Sequence, residues 1–156
     1  QIVTRMYLQS KKINTIISVF NKNKHGGNEM KEIAKNEYYE IKVDTLKNRL
    51  YLKIIGFWKS TDAVRHYVED IGKAGKELSS GFTVLADLRE MKTPPPEVAP
   101  LHEKAQKALV QAGLDRTAEI QTNAILKLAT SRYAGTSQMK KQAFASIEEA
   151  EKWLDS

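Results

Sequence analysis

A short apolar run, Phe82-Thr-Val-Leu-Ala-Asp-Leu88, passes through an acidic residue into Arg89-Glu-Met-Lys-Thr93 and then into three prolines, Pro94-Pro95-Pro96. Beyond them, apolar residues recur at helical spacing. A buried strand that hands over to a helix across a stiff step constrains the fold more than any other feature of the chain. It points to an α/β domain, where such junctions often form binding sites. Proline is tolerated in the first turn of a helix, because the N–H it lacks has no partner there. The prolines before it stiffen the approach in polyproline II form. The alternative is a fixed loop that positions a binding surface or gates a pocket.

The flanking patterns extend this reading. Tyr39 to Val43 alternates at period two, Asp44 to Asn48 is turn-like, and Leu50 to Phe57 is a second, more apolar strand. The short connection makes the pair an antiparallel hairpin. Ser60-Thr61-Asp62 offers N-caps for a helix carrying Ala63, Val64, Tyr67, Val68, Ile71, Ala74 and Leu78. Within it, Gly72 and Gly75 either permit close helix packing or weaken the helix by about 1 kcal/mol each. After the prolines, Val98, Leu101, Ala105, Ala108, Leu109 and Ala112 mark another helical face, and Gly113 suits its left-handed stop. Thr117 to Thr122 is a weak strand. Asn123 can cap a helix with Ile125, Leu126, Leu128, Ala129 and Tyr133, and Gln142 to Ala145 reads as a short edge strand. Ser146-Ile-Glu-Glu149 is a capping box, opening a last helix expected to bury Ile147, Ala150, Trp153 and Leu154. The order β-β-α-β-α-β-α-β-α predicts a mixed sheet of about five strands, an N-terminal hairpin then βα units, with about four helices packed on it.

The chain of 156 residues is long enough for one domain with a real core, expected over residues 30–156. It has no cysteine, which excludes disulfides, thiol nucleophiles and cysteine-ligated metals and fits a reducing cytoplasm. No apolar run approaches the roughly 18 residues of a membrane span. The net charge of +6 invites a nucleic-acid reading. Its distribution argues against one: residues 1–29 hold five basic residues against one acidic, whereas the remainder holds twenty against eighteen. That leader is polar and turn-like near Gly26-Gly27, just ahead of Met30. One expectation is that Met30 is the native start and residues 1–29 are an upstream extension. The other is a genuine basic arm, with a short strand or helix at Ile13 to Phe20.

Candidate chemistry concentrates at the junction. Asp87, expected at the C-terminal end of its strand, either faces a ligand crevice or else caps the loop or pairs with a nearby Arg or Lys. Arg89, Glu90 and Lys92 either frame an anionic ligand with the next helix's N-terminus or form an ordinary charged loop. His102 follows on that helix, without an identifiable partner for acid–base work. His25, His66 and His102 lack metal-ligand spacing. Nucleophile-elbow, P-loop and dinucleotide fingerprints are absent. Tyr38, Tyr39, Tyr51, Phe57 and Trp58 read as core and sheet-face residues. In a minority reading, Phe57 and Trp58 border an apolar pocket or a dimer surface.

This order, with the Val84-Leu-Ala-Asp-Leu88 strand and the closing Phe144-Ala-Ser-Ile-Glu-Glu-Ala-Glu-Lys-Trp-Leu154 segment, resembles the SpoIIAA-like fold of STAS domains and, more distantly, CRAL-TRIO lipid-transfer domains. The resemblance is nearest to small stand-alone bacterial proteins of the STAS/SEC14 type and covers roughly residues 37–155. It implies a non-enzymatic module without a cofactor, working through a protein partner or self-association. The CRAL-TRIO kinship implies the alternative, a carrier of a lipid or other apolar small molecule. STAS-class antagonists of anti-sigma factors bind a kinase and are switched on a serine that follows an aspartate after the Asp-Leu strand. This chain reads Lys92-Thr93-Pro94-Pro95-Pro96 there and has no serine from Phe82 to Ile120. Thr93 is the nearest hydroxyl, in a different context, so the phospho-switch does not carry over.

Overall fold

The computed structural model describes residues 30–123 and 140–156. Six strands form one sheet in sequence order: β1 (Met30–Lys35), β2 (Tyr39–Asp44), β3 (Arg49–Gly56), β4 (Thr83–Met91), β5 (Arg116–Ile120) and β6 (Lys141–Phe144). The first three pair antiparallel and the rest parallel. Three α-helices accompany them: α1 (Tyr67–Lys76), α2 (Ala99–Ala112) and α3 (Ile147–Asp155). The expected mixed sheet is present, with β6 as its edge. The helix expected from Asn123 to Tyr133 and the leader lie outside the described residues, apart from Asn123 itself.

One strand was not expected. Met30-Lys-Glu-Ile-Ala-Lys35 has no period-two alternation, yet it pairs with β2 as an edge strand, with a register irregularity between Glu32 and Ala34. Its lysines and irregular register suit an edge that must not recruit another strand. The turn between β2 and β3 is built by side chains. Asp44 Oδ1 accepts from the N–H groups of Leu46 and Lys47, and Asn48 takes a left-handed φ of 54°. Asn48 also exchanges two hydrogen bonds with the Ser79 backbone, fixing the hairpin to the approach of β4.

The alternation of β4 divides the molecule into two cores. Val84, Ala86 and Leu88 join Leu50, Leu52 and Ile54 beneath Ile71 and Ala74 of α1 and Ala105 and Leu109 of α2. On the opposite face Leu85, Ala118 and Ile120 meet Ala150 and Leu154 of α3. The register steps from Lys53↔Asp87 to Ile55↔Glu90, so β4 carries a bulge near Leu88. That extra residue lets both Leu88 and Met91, three apart, enter the same core.

Helix boundaries are sharper than the periodicity suggested. The predicted helix from Ala63 begins as a single 3-10 turn at Asp62–Val64, whose Ala63 N–H is met by Ser60 Oγ, and α1 proper starts at Tyr67. Gly75 sits where a Cβ would lie 3.4 Å from Ala112 Cβ, so it does permit close packing of α1 on α2; Gly72 has open space. Gly113 ends α2 at φ 107°, and a Cβ there would lie 2.8 Å from Ser80 Cα. Ser146 caps α3 by accepting from Glu149 N–H. Ile147, expected inside, is exposed, and Trp153 is half-buried against Phe144. The reason is that α3 lies along β5 and β6 at one side of the sheet, leaving its first turn over open surface.

Candidate functional site

The residues singled out at the junction do not share one site. Asp87 is not at the end of its strand, because β4 continues to Met91. Its carboxylate accepts Arg89 Nε at 2.9 Å, Arg89 Nη2 at 2.7 Å and the Arg89 backbone N–H at 3.1 Å. The Arg89 guanidinium thereby holds the Asp87 carboxyl below its ordinary range. This is the pairing alternative. Glu90 pairs with Lys53 of β3. Both pairs stand on the face that carries α3.

Lys92 and Thr93 are exposed at the rim, and the Lys92 N–H donates to Gly56 O at 3.0 Å. Pro94 is buried, Pro95 is extended (φ −64°, ψ 155°), and Pro96 opens a 3-10 turn over Pro96–Val98 that leads into α2. The prolines therefore do as expected of a stiff approach and a first turn. His102, one turn into α2, is buried on the other face. The strand order never reverses among the described residues, so no topological switch point lies beside β4.

Two of the concavities among the described residues involve the residues of the junction. The first is an open groove of about 440 Å³ on the α3 face of the sheet. Three lysines (Lys42, Lys47, Lys53) and three carboxylates (Glu40, Asp87, Glu151) surround it, with Met30 and Ile147 exposed at its rim. Beside it, buried Arg49 reaches Glu151 and Asp155 of α3 and donates from Nε to Thr83 Oγ1 at 2.9 Å. Tyr51 OH donates to Glu151 at 2.6 Å. This network fastens α3 to β3, and the Arg49 bond lowers the Asp155 pKa.

The second concavity is a chamber of about 50 Å³ on the opposite face, between the sheet and helices α1 and α2. Its wall is apolar at Leu52, Ile54, Val84, Ala86, Leu88 and Met91. Its polar groups are Tyr67, His102, Gln106, Thr117 and Glu119. His102 stacks on Trp58 with centroids 4.9 Å apart and planes 12° apart, and Tyr67 meets Trp58 edge-on at 4.8 Å. Burial pushes the His102 pKa down to about 4, so the ring is neutral near pH 7. Burial raises the Tyr67 pKa. Buried Glu119 is paired with Lys141 of β6 at 2.7 Å. Of this group only His102 was anticipated. The signal that was available lies in Thr117-Ala-Glu-Ile-Gln121, where the polar residues alternate with Ala118 and Ile120. That pattern looks like a weak half-exposed strand, but both of its faces are buried.

Comparison with known proteins now bears on this architecture. No family model matches the sequence, and no curated protein matches it. A solved structure does: an uncharacterized DUF3478-family protein from Shewanella loihica, described as having a SpoIIAA-like fold. It superposes with a TM-score of 0.55 at 15% identity, covering 78% of this chain and 97% of that one. The fold is SpoIIAA-like. At this identity the likeness shows the fold alone.

The SpoIIAA-like sheet presents Thr93 in the open, followed by a proline-built turn rather than a Ser-bearing helix start. Among the described residues, no group of three or more His, Asp or Glu is placed to hold a metal, and no helix is long and apolar enough to cross a membrane.

Proposed function

We propose that this SpoIIAA-like domain is a non-enzymatic, STAS-like interaction module, acting in the cytoplasm, that docks a second copy of itself through the outer sheet face. One observation carries the reading. The groove beside α3 is lined by equal numbers of lysines and carboxylates, with Met30 and Ile147 exposed at its rim. A surface with balanced charge and an apolar edge suits a self-complementary partner better than a strongly acidic or basic one. Asp87, Arg89 and Glu90 belong to this face, whereas Thr93 to Pro96 form a stiff rim at its end. A phosphorylation switch at Thr93 is no part of the proposal.

Sedimentation at increasing protein concentration tests it. The expected result is a reversible dimer that the double variant Ile147→Glu, Lys53→Glu dissociates. A monomer across the whole range would overturn self-docking. The carrier reading finds no comparable support: a chamber of about 50 Å³ is far below the 300 Å³ or more of ordinary ligand pockets.

A further inference from the structure

One buried carboxylate is only half satisfied. Asp44, at the end of β2, is 1% exposed, and its Oδ1 accepts the Leu46 and Lys47 N–H groups of the hairpin turn. Its Oδ2 is buried and makes no hydrogen bond among the described residues. A carboxylate oxygen taken out of water without a donor costs free energy. The residue directly opposite on β3 is Arg49. Opposed residues of an antiparallel pair share a face with their Cα atoms about 5 Å apart, so a guanidinium stands within reach. No ion pair joins the two, however. Arg49 is divided among Thr83 of β4 and Glu151 and Asp155 of α3.

The helix that depends on this division is lightly packed. α3 buries Ala150 and Leu154, whereas α1 buries Tyr67, Ile71, Ala74 and Gly75. Its ties to β3 and the turn before it are polar: Arg49 to Glu151 and Asp155, Tyr51 OH to Glu151 at 2.6 Å, and Lys47 to Glu151 at 3.4 Å. Few buried apolar contacts mark an element that opens on its own. We propose that α3 is a releasable strap, and that Asp44 is the acceptor that receives Arg49 when the strap lifts. In the closed form Arg49 holds α3, and Asp44 Oδ2 goes unpaired. In the open form Arg49 keeps Thr83 and gains Asp44, so opening leaves no buried cation alone. Lifting α3 takes Ala150 and Leu154 off Leu85, Ala118 and Ile120. The open form therefore offers an apolar strip on the outer sheet face. Opening happens within one chain and does not depend on docking of a second copy.

The test is amide hydrogen exchange of the full chain, read over the α3 segment Ile147–Asp155 with the α1 segment as internal control. Measuring at a low and a high protein concentration separates opening from self-docking, because the opening rate does not depend on concentration. Asp44→Asn keeps an oxygen for the Leu46 and Lys47 N–H groups, so the turn persists, but it removes the charge that receives Arg49. It is expected to slow exchange of α3 about fivefold and to leave α1 unchanged. Tyr51→Phe cuts one tie and should quicken α3 by a similar factor. In an Arg49→Met chain, which has no guanidinium to hand over, adding Asp44→Asn should change nothing. Exchange of α3 that Asp44→Asn leaves unaltered overturns the proposal, since water then already completes Oδ2. Quickened exchange overturns it as well, because Asp44 would then support the closed form. Slowing that persists in the Arg49→Met chain means that Asp44 acts on α3 without Arg49, and the handover fails. If Arg49→Met does not fold, the single variant decides.

Discussion

The two faces of the sheet are built on different physics. Beneath α1 and α2, side chains are apolar and aromatic, with Trp58, Tyr39 and Ile71 almost fully buried. On the α3 side the apolar patch is small, and the surface from β2 to β4 is covered instead by charge pairs: Lys42 with Glu40, Lys53 with Glu90, and Arg89 with Asp87. Burial is strong and geometry-bound, whereas exposed ion pairs are weak and screened. The first face therefore holds the fold, and the second contributes less to it.

The contrast breaks if a covered-face substitution proves mild. Trp58→Ala is expected to cost about 4 kcal/mol in denaturant unfolding, since it empties the aromatic cluster and releases the bond from Trp58 Nε1 to Tyr38 O. Acid gives the next largest effect. The folded His102 pKa of about 4 lies below its unfolded value of about 6.5, so the unfolded chain takes up the proton first. Stability is intact above about pH 6.5, is lost as pH falls toward 4 by about 3 kcal/mol, and changes no further from this group below that. Comparing unfolding of the protein with that of His102→Leu across this window isolates the contribution.

On the outer face, Arg49→Ala should cost about 3 kcal/mol, because it removes the ties to Glu151 and Asp155 that fasten α3 and empties a buried stem. Arg49 is thus the point where the outer face behaves like the inner. Ser146→Ala removes the α3 cap for about 1 kcal/mol. Lys42→Ala should stay within about 0.5 kcal/mol. A thermal-melt shift for Lys42→Ala as large as that for Ser146→Ala would mean the outer charge ladder is structural after all.

Much of the fold was legible because local rules and tertiary demands agree. Period-two alternation marked β2, helical spacing marked α2, and Gly113 and Ser146 punctuated helices where the backbone needs them. β1 escaped because an edge strand satisfies only one row of backbone groups and carries lysines, so neither pattern nor burial announces it. The bulge in β4 escaped because nothing in Asp87-Leu-Arg-Glu90 states that Leu88 and Met91 must face the same way. The candidate site was the least legible. Asp87, Arg89 and Glu90, adjacent in sequence to the prolines, lie on the face opposite His102, because alternation along β4 sends one set of side chains outward and the helix that follows returns on the other side.

By itself the sequence determined the α/β class, the order of most elements and the helix stops, because these depend on periodicity and on the backbone preferences of Gly, Pro and Ser. Only the tertiary structure decided which polar residues meet. Tyr67, His102 and Glu119 come together from two helices and a strand, and Arg49 finds Glu151 and Asp155 about a hundred residues away. Such pairings leave no local trace, since a buried Glu in a strand and an exposed one are written with the same letter. The physical difference is the environment, and the crossing of distant elements supplies it.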